Sequence, residues 1–444
     1  MNHATQLHDR GYLADDMQIM QRCALPGNVQ DEVYRQVRAR TVATVKWTLE
    51  QALDEELRGY VGRGRYERDS EPRGPEETRS GTYTRQLWTQ YGCIADLRVP
   101  KLRRGNRHLD WQTITRYERC WGPFLDHPLL QYCLGHSLRD LQEVMQLSLG
   151  EVLSLAACNR LVLGLEEQAQ AFKTARLPSP PPIVLVDGLW LTLAVPTGEI
   201  TQDSSGRKRA VKRKQQRVML TALGIWPDGH WEILSWHLAA NEDAPSWGAL
   251  VGTLYTKGVT EQTTQLIVSD GSAGLEKALY SHLYGVPHQR CIFHKIKNIA
   301  DHLHYGEGGI EAGETAAPPS RQAKKERKRA ILADASQSYA TDVESEIRAR
   351  AQVFRDTWEA REPQAVAAFF HDFEQTLCYL TVHFPRAYVS LIRTTNLLER
   401  FHKEIRRKQR DIGMLQSAAG GDVLWYMVSM RETAKQQASC RGKG

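Results

Sequence analysis

Apolar residues recur every three to five positions at Val33, Val37, Val42, Val45, Leu49 and Leu53, with charges between them. That spacing predicts an amphipathic helical start over residues 1 to about 60. The pattern then lapses. Tyr60 to Arg85 is rich in Gly, Arg, Glu and Ser and nearly free of aliphatic side chains, which predicts an exposed loop. Cys93 to Val99 predicts a short β segment, and Leu129 to Leu163 two helices meeting at a tight turn. Leu138, Leu141 and Met145 give the first helix an apolar face, Leu147 to Gly150 form the break, and Val152, Leu153, Leu155 and Leu161 continue beyond it. Pro178 to Pro182, PSPPP, reads as a stiff linker.

Past the linker the period changes. Ile183 to Val186 is an unbroken apolar run too short for a helix, the pattern of a strand buried on both faces, and it leads into Asp187-Gly188. Arg217 to Ile225 alternates as a strand, Trp226 to Gly229 supplies a turn, and Trp231 to Leu238 returns as its antiparallel partner. A helix over Ser246–Lys257, a strand over Gln265–Ser269 ending at Asp270-Gly271, a helix over Leu275–Tyr284 and a strand over Gln289–Phe293 complete the order β-β-β-α-β-α-β. Ala300 to about Ser390 reads as helical and charged, with Phe354, Trp358, Phe369, Phe370 and Phe373 as a small core. Thr394 to Arg410 is a strong helix pattern with Thr or Asn available as cap and Leu398, Phe401 and Ile405 as its apolar stripe. The expected divisions are 1–60 (helical), 61–125 (basic loop and short β), 126–177 (helix-turn-helix-like), 178–300 (first part of an α/β core), 301–390 (helical insertion) and 391–444 (closing helices).

With 444 residues the chain exceeds what one hydrophobic core supports. The net charge of +6 is mild, so the distribution of bases carries more information than their sum. The eight cysteines include no Cys-x-x-Cys pair, which argues against a disulfide framework or zinc ribbon and for a reducing cytosol. No long apolar run marks a signal peptide or membrane span, so a soluble protein without membrane association is expected.

The chemistry-bearing residues are carboxylates and bases. A carboxylate where a buried strand meets solvent is rigidly held, and two such strands, ending at Asp187 and Asp270, suggest a metal site. Either Asp-Gly pair alone is equally a common turn. Arg207, Lys208, Arg209, Lys212, Arg213, Lys214 and Arg217 fall in one predicted loop without an acid, and Arg321, Lys324, Lys325, Arg327, Lys328 and Arg329 form a second cluster. On the 394–410 helix, Glu399 shares a face with Lys403, Arg406 and Arg410. That arrangement suits a helix laid along nucleic acid with its carboxylate toward a metal. Lys101, Arg103, Arg104 and Arg107 are further phosphate-contact candidates, as is Glu151–Arg160 for reading a major groove. Each of these is also compatible with a solvated face or a plain helix pair.

Together these stretches resemble the Mutator-type transposases of bacterial insertion sequences. The likeness lies in Tyr60–Arg68, Gly92–Pro100, Gly135-His136-Ser137 and the blocks VDG, SDG, RCIFHKIKNI and TTNLLERFHKEIRRK in that order. It implies an α/β, ribonuclease H-like DDE core, a mixed five-stranded sheet with strands one and four side by side, carrying a helical insertion and an N-terminal mainly helical DNA-binding region. By the resemblance Asp187, Asp270 and Glu399 are the catalytic and metal-binding acids for two Mg²⁺ ions, with Mn²⁺ able to substitute. Asp187 would bridge both ions while Asp270 and Glu399 each hold one. Water frees a 3′-hydroxyl at the transposon end, and that hydroxyl attacks target DNA. Double-stranded DNA is the implied partner, contacted by the 207–214 bases, by Lys324 and Lys325, and by Arg400, Lys403, Arg406, Arg407 and Arg410. A homo-oligomer in the bacterial cytoplasm, associated with the nucleoid, is implied as well.

Some alternatives stay open. Glu404 competes as third acid, but five residues along a helix is about 140° around the axis, so both glutamates cannot face one metal pair. Cys291, His294 and Asn396 match the family pattern without a fixed role. Zinc at Cys291-x-x-His294 would need a second pair that does not follow. His402 is a candidate for a place near the scissile phosphate, with a solvent-facing helix histidine the favoured reading. Asp411-Ile412-Gly413-Met414 departs from the basic, aromatic and proline-bearing turn usual in the family. A ribonuclease H-like nuclease without strand transfer, or a catalytically inactive DNA-binding relative, would share much of the pattern.

Overall fold

The computed structural model describes residues 29–441 apart from 63–77, 104–108, 110, 116–118, 122–125, 150–154, 203–205, 207 and 306–319. The chain divides into two units, residues 1–131 with 139–158, and residues 132–138 with 159–444.

In the first unit, helix α1 (Val29–Val61) packs on a two-stranded antiparallel sheet of β1 (Arg79–Thr89) and β2 (Gly92–Leu102). Only its second half is apolar on the packed side. Leu49, Leu53, Leu57 and Val61 are buried against Leu87, Ile94, Leu97 and Val99, whereas Val33 and Val37 are exposed, so the predicted stripe is a contact only over its C-terminal turns. Glu50 fixes the helix to β2 by accepting from the Arg98 backbone N–H at 3.0 Å and its guanidinium at 2.7 Å. Arg79 to Arg85, read as loop, is strand. Its side chains are almost all outside the core, so no apolar alternation announces it. Helices α2 (Asp126–Leu134), α3 (Leu138–Leu149) and α4 (Leu155–Leu163) follow. The turn predicted at 147–150 is helical up to Leu149, and the rest of the joint lies outside the described residues.

The second unit is built on a five-stranded sheet reached through α5 (Glu166–Thr174). Its strands are β3 (Ile183–Gln202), β4 (Lys208–Ile225), β5 (Trp231–Ala239), β6 (Leu266–Ser269) and β7 (His288–Arg290), in spatial order β5-β4-β3-β6-β7. The first three pair antiparallel, while β6 and β7 add parallel. Strands one and four are therefore neighbours, as the order predicted. Helices α6 (Ala244–Thr256) and α7 (Ala273–His282) supply the crossovers. Asp243 caps α6 by accepting from the Ser246 N–H, and Ser272 caps α7 by accepting from the Leu275 N–H. Both helices cover one face of the sheet, burying Trp247, Leu250, Val251, Leu254, Leu275 and Leu279 on Val184, Val186, Val218, Leu220 and Ala222.

Two expectations change here. The basic 208–217 stretch is strand, not loop, because β3 and β4 continue past the sheet as a long two-stranded ribbon paired to Gln202↔Lys208. A ribbon wet on both faces has no apolar period to reveal it. Cys291–Phe293 is not strand. β7 stops at Arg290, and Cys291 precedes the next helix, α8 (Ile292–Ile299).

The remaining helices are α9 (Arg321–Ser338), α10 (Glu344–Trp358), α11 (Pro363–Phe370), α12 (Val389–Ile392), α13 (Asn396–Ile412) and α14 (Ala418–Arg441). Phe354, Phe369 and Phe373 pack ring to ring as the predicted small core. The 411–414 departure ends α13 at Gly413, whose φ of 86° suits glycine. The chain then pairs Leu415 with Leu193, so that the Ala194 N–H donates to the Leu415 carbonyl at 2.9 Å.

Candidate functional site

Register brings the two aspartates level. Every β3–β6 pair joins residues 83 apart, Ile183↔Leu266, Val184↔Ile267 and Leu185↔Val268, and Asp187 and Asp270 are separated by the same 270 − 187 = 83. Two steps beyond the last pair, they occupy equivalent positions on one side of two parallel neighbours. Asp187 is not a strand end, however. β3 runs on through it, with Thr221 opposite, and it is β6 that stops. Gly188 correspondingly makes no turn. Its role is clearance, since a Cβ there would lie 2.9 Å from the Glu242 Oε1 atom. Gly271 does turn, at φ 85°.

The third carboxylate arrives on α13. Cys291 donates its backbone N–H to the Ser269 carbonyl at 2.7 Å, and Ile292 donates to the Arg393 carbonyl at 3.1 Å. These bonds tie the end of β6 to the approach to α13. Thr395, buried just before that helix, donates its N–H to the Cys291 sulfur at 3.3 Å, and its hydroxyl lies 3.5 Å from both His294 Nδ1 and Glu399 Oε1. Thr395 thus makes no helix-capping side-chain bond. Asn396 is the first residue of α13 and exposed. His294 Nε2 stands 3.5 Å from Glu399 Oε1.

His294 is common to all three acids. Its hydrogen bond to the Cys291 sulfur is the largest influence raising its pKa to about 9, against burial and with help from the charges of Cys291, Asp187 and Glu399. Asp270 is pushed upward by burial first and then by the Asp187 charge, with His294 opposing. The two carboxylates repel one another with His294 and, less strongly, the Arg290 guanidinium opposing, and their oxygens are hard donors. That chemistry fits a divalent cation such as Mg²⁺. Among the described residues, no three His, Cys, Asp or Glu side chains are already gathered to hold an ion.

Glu404 faces elsewhere. It pairs with Arg407 at 3.1 Å, and although burial pushes its pKa up, the Arg407 hydrogen bond and charge bring it below the usual carboxylate range. His402 corrects the sequence reading. It is buried, with Nδ1 3.4 Å from Asp187 Oδ2, because the buried side of α13 spans Leu398, Phe401, His402 and Ile405 and is wider than the predicted stripe. Its Nε2 is buried without a hydrogen-bond partner among the described residues.

Two residues near the acids were not read as site residues in the sequence. Thr395 looked only like a helix cap. Glu242, raised in pKa by burial and, beyond that, by the charges of Asp270 and Asp187, carried no local signal.

The bases fall into separate groups. Lys214 on β4 lines a depression with Thr192, Arg406, Gln409, Arg410, Gly413 and Met414. Lys208, Arg213, Arg400, Lys403 and Arg407 are exposed on the same two elements, and Lys212 donates to the Gln416 carbonyl at 2.8 Å. Lys324 and Lys325 line a different depression with Tyr305, Arg321, Gln322 and Lys328. Arg207 and the side chain of Arg209 lie outside the described residues.

Comparison with known proteins settles the family. The family described as "Transposase, Mutator family" matches residues 27–309 and 319–433. The chain belongs to the Mutator family of transposases. This transposase is 26% identical over 364 residues to the transposase for insertion sequence element ISRM5 of Rhizobium meliloti (strain 1021), covering 82% of this chain and 80% of the relative. Against the IS256 transposase of transposon Tn4001 from Staphylococcus aureus, the transposase is 24% identical over 384 residues, covering 86% of each. Among solved structures, a chain of the Drosophila P element transposase strand transfer complex aligns at 12% identity over 70% of this chain and 80% of its own, with a TM-score of 0.28, too loose a likeness to support an argument. Among the described residues, no helix of the transposase is long and apolar enough to cross a membrane.

Proposed function

We propose that this transposase cuts DNA at the ends of its element and joins the freed 3′-hydroxyl to target DNA, using a ribonuclease H-like core in which Asp187, Asp270 and Glu399 are the catalytic acids. The observation that carries the reading is the shared 83-residue offset, which sets Asp187 level with Asp270, together with His294 bridging from that pair to Glu399. The β-β-β-α-β-α-β order and the stretch between residues 301 and 390, read as a helical insertion, support the same core.

The three acids would hold Mg²⁺, which when bound activates the attacking oxygen and stabilises the leaving one. The chain's own groups prepare that site. His402 braces Asp187 through Nδ1. Cys291 and Thr395 hold His294 beside Glu399. Lys214, Arg406 and Arg410 take up phosphates along the ribbon and α13, so end binding falls steeply with salt.

The test uses the inverted repeats flanking the reading frame. Asp187→Ala, Asp270→Ala and Glu399→Gln are expected to abolish cleavage while binding the ends, with Glu404→Gln still active. Loss in Glu404→Gln with cleavage retained in Glu399→Gln would reassign the third acid. Pre-cleaved ends joined to target DNA distinguish a transposase from a nuclease that only hydrolyses.

A further inference from the structure

We infer that Arg290 is a clamp for a backbone phosphate next to the scissile one, with Asp372 as the residue that positions its guanidinium; this rests on the assignment of Asp187, Asp270 and Glu399 as the cleavage site. Arg290 closes β7 and pairs with Ser269, the last residue of β6. Its side chain reaches farther. A Cβ on Gly271, two residues beyond that pair, would lie 2.8 Å from Arg290 Nη1, 3.0 Å from Cζ and 3.2 Å from Nε. Those near-equal distances lay the guanidinium plane flat over Gly271, whose Cα is about 3.8 Å from that of Asp270.

By strand alternation Arg290 leaves the sheet on the side opposite Asp270. At the level of Gly271, however, both β6 and β7 have ended, so the guanidinium has reached the carboxyl rim of the sheet. Asp270 feels its charge. Ligands of parallel-stranded sheets bind outside the carboxyl ends of the strands, and the rim that carries Asp270 therefore also carries a fixed cation.

The donors of that cation are only partly used. Nη1 donates to Asp372 Oδ2 at 2.9 Å, from a residue just past α11 whose backbone is left-handed at φ 55°. Nε is buried without a hydrogen-bond partner among the described residues, and Nη2 there has neither a partner nor full burial. An arginine serving only as a strut commonly engages both carboxylate oxygens. Here the second oxygen of Asp372 lies 3.0 Å from His371 Nδ1 instead. The Arg290 side chain is 17% exposed, so a ligand can reach it. A planar fork with donors to spare matches phosphate, which a lysine could meet only as a point charge. Two aspartates repel an approaching polyanion, and a guanidinium fixed beside them offsets that repulsion at the phosphate it touches.

The experiment walks a single uncharged methylphosphonate through the phosphates flanking the cleavage junction in the flanking-repeat DNA. With native protein, one position close to the junction is expected to slow single-turnover cleavage about 10- to 100-fold, the scale of lost hydrogen bonds to a charged group. Arg290→Gln slows cleavage of unmodified DNA by a similar factor, and at that one position the methylphosphonate then costs nothing more, while its cost elsewhere is unchanged. Asp372→Asn gives a smaller loss with the same single position affected. Arg290→Lys, which keeps the charge, recovers part of the rate with a reduced cost at that position, and answers the question should Arg290→Gln fail to fold. Matched melting temperatures separate these effects from misfolding. If Asp187→Ala still cleaves, the active-site assignment fails and the clamp with it. If Asp187→Ala is inert but the Arg290 variants cut at the native rate, or their loss combines equally with a methylphosphonate at every position, the clamp alone is overturned.

Discussion

The two faces of the five-stranded sheet are built differently. The face under α6 and α7 packs aliphatic and aromatic side chains, Val184, Val186, Val218 and Leu220 against Trp247, Leu250 and Leu254. The face under α13 and α14 interleaves apolar and polar groups. Phe401 packs on Trp425, but Trp425 donates to the Thr221 hydroxyl at 3.1 Å, Trp236 donates to Asp422 at 2.7 Å, and His402 reaches Asp187. Buried polar groups cost free energy unless paired, and among the described residues His402 Nε2 has no partner. One face therefore carries stability with no chemistry. The other gives up some stability to set carboxylates and their supports in fixed positions.

The largest effect that would sharpen this contrast is on the polar face. Asp187→Ala should lower cleavage about a thousandfold, the scale of several kcal/mol of lost charge stabilisation, with little change in melting temperature. Across the sheet, Leu250→Ala should destabilise by about 2–5 kcal/mol through the cavity it leaves, measured by urea unfolding. Cleavage well below its melting point should persist, and a Leu250 variant that stays folded yet cannot cut would break the comparison.

Second in rank is His402→Ala, expected to weaken Mg²⁺ dependence about 10- to 100-fold as support for a ligand, read as a shift in the Mg²⁺ concentration for half-maximal cleavage with DNA affinity unchanged. A smaller effect concerns His288, whose ring nitrogen lies 2.7 Å from the Ser269 hydroxyl and whose pKa burial lowers to about 4 from 6.5. A group with its folded pKa depressed adds stability above 6.5 that is lost as pH falls toward 4. The melting temperature should thus drop across that window, and His288→Gln should flatten the drop. Smallest of all, Lys214→Ala or Arg406→Ala should weaken end binding a few-fold and lower the salt slope by about 0.9 per lost phosphate contact. An unchanged slope in both variants would remove the depression they share from the DNA path.

Much of the core was legible because β3 opens with, and β6 consists of, a short continuous apolar run followed closely by Asp-Gly. Even the pairing was present in the numbers, since the aspartate separation equals the strand offset. The ribbon and β1 were not legible. The side chains of the ribbon's outer part and of β1 from residue 79 to 85 lie outside the core, and without burial there is no period to read. Glu242 sits before the Asp243 cap of α6 and looks like an ordinary helix start, so only the three-dimensional approach of Gly188 reveals it. His402 was misjudged for a related reason, as a helix packed on a sheet and on another helix buries more than one narrow stripe. Thr395 looked like a cap and instead supports the His294–Glu399 pair.

The most direct test of the central claim replaces Mg²⁺ with Fe²⁺ and uses ascorbate and peroxide to cut the polypeptide wherever the ion sits. We predict backbone breaks close to residues 187, 270 and 399 together, suppressed by excess Mg²⁺ and lost in Asp187→Ala. Breaks confined to the neighbourhood of Cys291 or Glu404, or a pattern indifferent to Mg²⁺, would contradict it.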